Sequence, residues 1–482
     1  MIPNLLISLV TGILLVEVAM VTFGGRWFLA QGKIISTKMN LFFAAKTDDE
    51  RQVLVIDAGL TTLRFSLVSF LYVATLAAIA GFLPWFLAWE EEQNVDYAIY
   101  VSVIATLWWL VRYIFKKKKP ETVDVNYNVI EKWLHWLALG SESVRRLSFD
   151  IERNYSLPPK KNSSGDNAVY VCGLARSGTT ILLRLLDQQK VFKSLSYRDM
   201  PFVLAPNLWN RVINKSSKEA VLTERAHGDG IAVDFDSPEA FEEVFWKTFC
   251  GEETDGKYFK IKPATKQILK DFADYRAVVA NSKFTLSENG ERQFRYLSKN
   301  NNNIGRLKSL CEEKTTTILL VYRNPVDCAL SLFRQHQRFI ESEVEDSFTK
   351  AYMGWLSHHE FGPGHLPFDF AAKDMNPALS TEDPNYWLDY WIAVHIYLLE
   401  KHDLDQIHLV NHDVMKSLPR EVIGAITSTL GVEADVEHLA GQISAPSKSK
   451  TPNGDFDEVL IAKANKIYED FSKSPRNIFK PN

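Results

Sequence analysis

Arg176 lies inside a short glycine-containing loop whose composition suits the binding of a phosphate-like anion. The segment from Ala168 to Leu186 places an apolar run before this loop and leucines at helical spacing after it. We therefore predict a strand, a loop and a helix, an order that points backbone N–H groups at the helix N-terminus toward an anion. Thr179 and Thr180 add hydroxyl donors, and a guanidinium such as that of Arg176 can hold an oxyanion through two parallel hydrogen bonds.

The loop differs from that of an ATPase at one position. Gly173 and Gly178 have the spacing of a Walker A loop, yet Thr179 stands where an ATPase needs the lysine that reaches the β- and γ-phosphates. The cation lies inside the loop, at Arg176, instead. This change favours an anion other than the triphosphate of Mg-ATP.

The loop Arg176-Ser177-Gly178-Thr179-Thr180 resembles the 5′-phosphosulfate loop of the sulfotransferase family, in which a basic residue precedes Ser-Gly-Thr-Thr. A second segment, residues 316–332, is an apolar strand that ends in an Arg-x-Pro turn and continues as a helix. This segment resembles the family's 3′-phosphate site, where an arginine at the strand end and a serine eight residues later hold the phosphate. Here those residues are Arg323 and Ser331. The two resemblances together imply that the chain binds the nucleotide donor PAPS.

The resemblance also implies the reaction, an in-line displacement that moves a sulfuryl group from PAPS to an acceptor hydroxyl or amine. The family needs no metal for this step. Its members keep a lysine ahead of the 3′-phosphate strand, and Lys299 is the matching residue here. Such a lysine stabilises the negative charge that develops on the bridging oxygen, and Arg176 neutralises charge on the same group.

The residue that would deprotonate the acceptor is assigned by position alone. Many relatives place a glutamate about twenty residues beyond the basic residue of the phosphate loop, or a histidine further along. Asp199 is the nearest match and differs in type and slightly in spacing, and His227 is the alternative because imidazole titrates near neutral pH. The acidic residues that follow, such as Glu239, Glu242 and Glu243, are expected on a solvated helix face.

Composition excludes one class of partner. The net charge is -4 and charged residues make up 24% of the chain, so no basic excess favours nucleic acid. The four cysteines lie far apart and form neither a Cys-x-x-Cys pair nor a dense disulfide pattern, which fits a reducing compartment.

Three apolar stretches in the first quarter of the chain have the length needed to cross a hydrocarbon core. They cover about residues 2–23, 65–89 and 97–115. The second contains no ionisable residue, whereas the first includes Glu17 and the third includes Arg112 near its end. We predict that all three are transmembrane helices.

Lysine and arginine residues predict the orientation of these helices, because short basic loops stay in the cytoplasm. The first two stretches are separated by a segment that contains Arg26, Lys33, Lys38, Lys46 and Arg51. The charged residues between the second and third stretches are all acidic, and Lys116 to Lys119 follow the third. We therefore expect a multi-pass protein of a bacterial inner membrane that contacts membrane lipid. Its catalytic domain would face the cytoplasm, beside an acceptor that is a lipid or a glycan.

The predicted fold is α/β, with a P-loop-like parallel sheet flanked by helices and preceded by an α-helical transmembrane module. We assign residues 1–120 to that module, 121–165 to an amphipathic helix and a linker, and 166–482 to the sulfotransferase domain. In the amphipathic helix, apolar residues including Leu147 and Ile151 recur at helical spacing and are expected to pack on the catalytic domain or on the bilayer.

Two other functions remain open from the sequence. One is a P-loop kinase or NTPase, against which the missing Walker lysine and the arginine at the second strand end both count. The other is a non-catalytic membrane scaffold that retains a nucleotide-binding fold.

Overall fold

The computed structural model describes residue 34 and residues 129–157, 167–213, 223–224, 232–233, 238–254, 256–280, 294–345, 347–443 and 456–481. The chain divides into two compact units, Met1–Trp133 and Leu134–Asn482. The predicted membrane helices 2–23, 65–89 and 97–115 fall outside the described residues, as do most of the linker and His227. Within the described ranges, no helix has the length and apolarity that a bilayer crossing demands.

Helices form most of the regular structure. In chain order they are α1 Val129–His135, α2 Glu142–Ser156, α3 Thr179–Asp187, α4 Pro206–Ile213, α5 Glu243–Phe249, α6 Lys266–Ala280, α7 Leu307–Leu310, α8 Pro325–Glu345, α9 Ser347–Trp355, α10 Pro384–Leu399, α11 His412–Ser417, α12 Pro419–Leu430, α13 Val436–Gly441 and α14 Glu458–Lys473. A π-helical turn, Trp136–Gly140, joins α1 to the loop before α2. Single 3₁₀ segments cover Tyr197–Asp199, Asn301–Arg306, Gly362–Gly364 and Asp369–Asp374.

The main sheet has five strands in the order β2-β7-β1-β8-β9, and each neighbouring pair is parallel. These strands are β1 Val169–Cys172, β2 Phe192–Lys193, β7 Arg295–Lys299, β8 Thr317–Tyr322 and β9 Ile407–Asn411. Two short antiparallel pairs lie apart from it, β3 Thr223–Glu224 with β4 Ala232–Val233, and β5 Glu253–Thr254 with β6 Phe259–Lys260.

The central strands read as continuous apolar runs because helices cover both faces of the sheet. All residues of β1 are buried, and Val169 pairs with Leu297 on one side and Thr317 on the other. One core cluster joins Val171 and Leu319 to leucines of α3 and to isoleucines of α12. The α/β fold with a parallel sheet flanked by helices is therefore confirmed, and the carboxyl ends of β1, β7 and β8 meet at one edge.

The region predicted as one amphipathic helix is divided into α1, the π-helical turn and α2. Ser141 interrupts it and caps α2 by accepting a hydrogen bond from the Val144 N–H. The buried residues of α2 are Arg145, Phe149 and Glu152, whereas Leu147 and Ile151 are exposed. Of the two surfaces expected for Leu147 and Ile151, the catalytic domain is excluded, because buried polar residues occupy the side of α2 that faces it. Arg145 Nε donates to Thr248 Oγ1 over 2.8 Å, and Glu152 Oε2 accepts from the Leu208 N–H over 2.9 Å.

Candidate active site

The phosphate loop leaves the carboxyl end of β1 and turns sharply into α3. Gly178 lies at the N-cap of α3 with φ 101, a conformation that favours glycine. A Cβ atom at this position would come within 2.2 Å of His412 Cδ2. Glycine is therefore required here both by the backbone and by the close approach of α11.

Arg176, Arg323 and Ser331 lie together although they are far apart in sequence. The Arg176 Nε donates to Ser331 Oγ over 3.1 Å, and Arg323 Nη1 donates to the Arg176 carbonyl oxygen over 3.2 Å. Arg176 lies in the loop after β1, Arg323 follows β8, and Ser331 is on α8. Because β1 and β8 are adjacent parallel strands, their carboxyl ends deliver both arginines to the same place.

Two polar atoms in this cluster fit an anionic ligand. Ser177 Oγ and Arg323 Nε are buried and accept or donate no hydrogen bond within the described part of the chain. A buried donor without a partner costs about 1–3 kcal/mol, a cost that a bound oxyanion removes. Together with the helix N-terminus at Gly178, these donors suit the two phosphate groups of a 3′-phosphorylated nucleotide.

A cavity opens beside the loop, and Lys299 lines it at the carboxyl end of β7. Lys299 is 8% exposed, so its amine belongs to the cavity wall and not to the outer surface. The remaining lining residues come from the phosphate loop and the start of α3, from the segments before α5 and after β7, from α8 and from the loop after α9: Ala175, Arg176, Thr179, Thr180, Glu239, Asn301, Gln335, Phe339, His358, Glu360 and Phe361.

A chain of hydrogen bonds runs along this cavity from the phosphate loop. Thr179 Oγ1 donates to Asn301 Oδ1 over 3.3 Å, and Asn301 Nδ2 donates to Glu360 Oε1 over 3.3 Å. The other carboxylate oxygen, Glu360 Oε2, lies 3.3 Å from His358 Nδ1. Burial raises the pKa of Glu360, but His358 and Lys299 lower it by more, so this pKa lies well below its usual range. Glu360 is therefore an ionised carboxylate beside an imidazole and an ammonium group.

The segment after Lys299 is held by a buried ion pair. Arg306 Nη2 lies 2.6 Å from Glu243 Oε1, and Arg306 Nη1 donates to Glu243 Oε2 over 2.8 Å. Asn300 Nδ2 donates to the same Oε2 over 2.7 Å. The pair fixes the turn that carries Lys299 and Asn301 against α5.

The acidic run before α5 is buried, which corrects the expectation of a solvated helix face. Glu239, Glu242 and Glu243 are 8%, 1% and 3% exposed. Glu242 accepts hydrogen bonds from Trp246 Nε1 and Tyr296 Oη over 2.8 and 3.0 Å. The sequence pattern is misleading because buried carboxylates need partners, and two of these partners, Tyr296 for Glu242 and Arg306 for Glu243, are 54 and 63 residues away in the sequence.

Asp199 is not among the residues that line the cavity. Its Oδ2 accepts from the Ser196 N–H over 2.8 Å and its Oδ1 accepts from Asn210 Nδ2 over 2.9 Å, which closes a capping box on the 3₁₀ turn. Burial raises the pKa of Asp199, against the opposing effect of these hydrogen bonds. Its predicted role as base stays a prediction, as does that of His227, which lies outside the described residues.

Sequence reasoning missed Asn301, His358 and Glu360. Asn301 had a usable signal, because it follows the lysine at the carboxyl end of a parallel strand, where ligand-binding residues collect. His358 and Glu360 had none, since they lie in a loop after α9. For metal ions, the described residues contain no group of three or more histidine, cysteine, aspartate or glutamate side chains that could hold one.

The chain resembles solved sulfotransferase structures at low sequence identity. A sulfotransferase of Mycobacterium tuberculosis H37Rv, STF1, is 13% identical with a TM-score of 0.37, covering 72% of this chain and 88% of that one. STF9 from Mycobacterium avium is 14% identical with a TM-score of 0.39, covering 71% and 85%. No curated protein matches the sequence. The sulfotransferase domain family matches residues 166–458, which is more than half of the chain. The chain therefore belongs to the sulfotransferase family, the enzymes that transfer sulfuryl groups.

Proposed function

We propose that this enzyme moves a sulfuryl group from PAPS to a hydroxyl or amine of a membrane-associated glycan or lipid. We assign PAPS as the donor because the two predicted phosphate sites are in direct contact with each other. Arg176 Nε reaches Ser331 Oγ over 3.1 Å, and Arg323 Nη1 reaches the Arg176 carbonyl over 3.2 Å. Two sites that meet at one sheet edge suit a nucleotide with phosphates on both its 3′ and 5′ positions.

Each donor-site residue has a role that follows from its position. Arg176, Ser177, Gly178, Thr179 and Thr180 would hold the 5′-phosphosulfate, with N–H groups at the start of α3 and hydroxyl donors. Arg323 and Ser331 would hold the 3′-phosphate. When bound, PAPS supplies the sulfuryl group that is transferred.

Lys299 is proposed to stabilise the negative charge that develops on the leaving phosphate. Its side chain is almost fully buried in the cavity wall, beside the arginine and threonines of the phosphate loop. An ammonium group fixed in such a water-poor position stabilises developing charge more strongly than one in bulk solvent.

We assign the acceptor base to His358, oriented by Glu360. A carboxylate at Nδ1 favours the tautomer with its proton on that nitrogen, which leaves Nε2 as the basic atom. Asn301 connects this pair to Thr179 of the phosphate loop, so the base would lie in the same cavity as the donor. Asp199 is less suited, because both of its oxygens already accept hydrogen bonds in a capping turn.

Calorimetric titration of the purified chain with adenosine 3′,5′-bisphosphate and with ATP tests the donor site. We expect selective binding of the bisphosphate, weakened roughly 10- to 100-fold in Arg176→Ala and Arg323→Ala, since a hydrogen bond to a charged group contributes about 1.5–3 kcal/mol. Arg420→Ala is the control, because that guanidinium is 68% exposed in a surface pair. Preference for Mg-ATP, or no nucleotide binding by folded protein, would refute the proposal.

Attachment to a bacterial inner membrane, with the catalytic domain in the cytoplasm, is proposed from the sequence. Its support is the distribution of basic residues around the three apolar stretches, with Lys116 to Lys119 after the last one. Protease added to intact spheroplasts should leave residues 166–482 uncut, and protease added after lysis should cut them. Cleavage of that domain in intact spheroplasts would place it on the other side of the membrane.

A further inference from the structure

Asp413, in the first turn of α11, reaches the turn that carries Arg323. Its Oδ2 accepts a hydrogen bond from the Asn324 N–H over 2.6 Å, although the two residues are 89 positions apart in the sequence. Asn324 directly follows Arg323, so this bond holds the backbone next to a proposed 3′-phosphate residue. An acidic residue in the first turn of a helix is ordinary, but this carboxylate bonds to a turn outside its own helix.

The sheet explains why these distant residues meet. Strands β8 and β9 are adjacent and parallel, and Tyr322 pairs with Asn411 at their carboxyl ends. The chain that follows each strand therefore leaves the same edge of the sheet, with Arg323 after β8 and Asp413 shortly after β9. Asp413 thus lies at the edge that carries the proposed donor site.

The Asp413 carboxylate is itself held in place. Tyr468 Oη of α14 donates to the same Oδ2 over 3.0 Å, and it accepts in turn from Asn411 Nδ2 over 3.0 Å. Burial raises the pKa of Asp413, but the neighbouring His412 and the Asn324 N–H lower it by more, so the carboxylate is ionised at neutral pH. An ionised acceptor makes a stronger hydrogen bond to the N–H than a neutral one does.

The far side of the turn is fixed by α8. Asn324 Oδ1 accepts from the Val326 and Asp327 N–H groups, both over 3.1 Å, which caps this helix. Asn324 is therefore anchored twice, by its N–H on Asp413 and by its side chain on α8. Arg323 lies between this anchored residue and the end of β8, so its backbone has little freedom to move.

We infer that Asp413 is a positioning residue of the donor site, which holds Arg323 in place for the 3′-phosphate of the nucleotide. The sign of its effect separates this role from simple electrostatics. A carboxylate this close to the site repels a phosphate, so on charge alone the loss of Asp413 would tighten nucleotide binding. Positioning predicts weaker binding, because the Arg323 guanidinium is then less well preorganised.

Calorimetric titration of the full chain with adenosine 3′,5′-bisphosphate and with adenosine 5′-monophosphate tests the inference. The ratio of the two affinities measures what the 3′-phosphate contributes. Asp413→Ala should lower this ratio roughly 10-fold, with a much smaller change in the affinity for the monophosphate. Asp413→Asn keeps an oxygen acceptor for the Asn324 N–H, so its ratio should stay within about threefold of that of the unchanged chain.

Asp457→Ala is the matched control. Asp457 Oδ1 accepts from the Val459 N–H over 2.7 Å at the exposed start of α14, so this substitution also removes a carboxylate that binds a backbone N–H. Its affinity ratio should equal that of the unchanged chain. Urea unfolding checks that each variant is folded. If Asp413→Ala is not, Asp413→Leu replaces it, because leucine fills a similar space without an acceptor.

A double variant, Arg323→Ala with Asp413→Ala, shows whether Asp413 acts through the arginine. Once Arg323 is absent, the second substitution should lower the ratio by less than about twofold, since no guanidinium remains to be positioned. An additive loss would contradict the inference. An unchanged or raised ratio in Asp413→Ala would also contradict it, as would an equal loss of affinity for both nucleotides.

The inference rests on the proposed donor site, and the unchanged chain separates the two failures. Equal affinity of the unchanged chain for the bisphosphate and the monophosphate would refute the 3′-phosphate site and the role of Asp413 together. A preference for the bisphosphate that survives in Asp413→Ala would refute the role of Asp413 alone.

Discussion

Lys299 is the residue whose substitution most directly separates catalysis from donor binding. We expect Lys299→Met to lower turnover by roughly 10²- to 10³-fold, the cost of removing one preorganised charge-stabilising group. Bisphosphate affinity should change far less, because the proposed phosphate contacts come from Arg176, Arg323 and Ser331, which lie together. Turnover is measured as release of labelled bisphosphate from PAPS with a lipid extract as the acceptor source.

Lys473→Met is the control for this prediction, since its side chain is 73% exposed on α14. An equal loss of bisphosphate binding and turnover in Lys299→Met would show that the lysine holds the donor and does not act on developing charge. Unchanged turnover would remove it from the reaction.

His358 and Asp199 are the two candidate bases that the structure describes, and the two assignments predict different effects of substitution on turnover. We expect His358→Ala to lower turnover by roughly 10²- to 10⁴-fold with little change in bisphosphate binding. Glu360→Gln should also lower turnover, by a smaller factor, because the imidazole loses the carboxylate that orients its Nδ1. The measurement is kcat/KM for each variant with labelled PAPS.

His402→Ala is the histidine control, because His402 is not among the residues that line the cavity and its Nδ1 donates to the Leu399 carbonyl at the end of α10 over 2.8 Å. Should Asp199→Asn abolish turnover in a stable protein while His358→Ala does not, the base would be Asp199. A Glu360→Gln variant with unchanged turnover would mean that the carboxylate does not act through the histidine.

At the residue scale, the sequence was most informative where a strand end, a glycine or a proline fixes the backbone. Arg176 and Arg323 were found because each stands at such a turn after an apolar strand. His358 and Glu360 could not be found in this way, because a loop after α9 brings them to the cavity only through tertiary packing. The same limit applies to Glu243, whose partner Arg306 is 63 residues away.

At the scale of elements, the buried pair between α5 and the turn after β7 supports the site. Glu243 and Arg306 side chains are 4% and 5% exposed, and the Arg306 guanidinium lies 5.1 Å from the centre of the Trp246 ring. We expect Glu243→Gln to lower the free energy of unfolding by about 3–5 kcal/mol, because the arginine is left buried without its counter-charge. Urea unfolding followed by tryptophan fluorescence measures the loss.

The surface pair between Arg420 and Glu437 is the matched control, with side chains 68% and 66% exposed. Glu437→Gln should cost at most about 1 kcal/mol, since solvent screens exposed pairs. Similar small losses in both variants would mean that Glu243 does not hold the turn that carries Lys299.

The elements that the sequence predicts best are those whose residues are buried on every side, because their sequences are then continuous apolar runs. Strands β1 and β8 are apolar runs with both faces covered, and the sequence predicts both. Helix α2 was expected as well, but its outward face was not. Periodicity leaves the catalytic domain and the bilayer both open for Leu147, whereas the buried hydrogen bonds of Arg145 and Glu152 turn Leu147 away from the domain.

At the scale of the whole molecule, membership of the sulfotransferase family replaces the kinase and scaffold alternatives. The missing Walker lysine and the arginine at the end of β8 then have one explanation, the proposed site for a phosphosulfate and a 3′-phosphate. Its donor residues and the turn that carries Lys299 all lie between residues 134 and 482.

This division predicts the behaviour of a fragment that comprises residues 129–482. We expect it to fold without the preceding chain and to bind adenosine 3′,5′-bisphosphate with the affinity of the full chain, because every hydrogen bond named at the donor site lies within Leu134–Asn482. Calorimetry measures the affinity. The fragment should also be released from liposomes by an alkaline carbonate wash that retains the full chain. A folded fragment without bisphosphate binding would show that the first 128 residues contribute to the site, and a fragment that resists the wash would contradict the proposed membrane module.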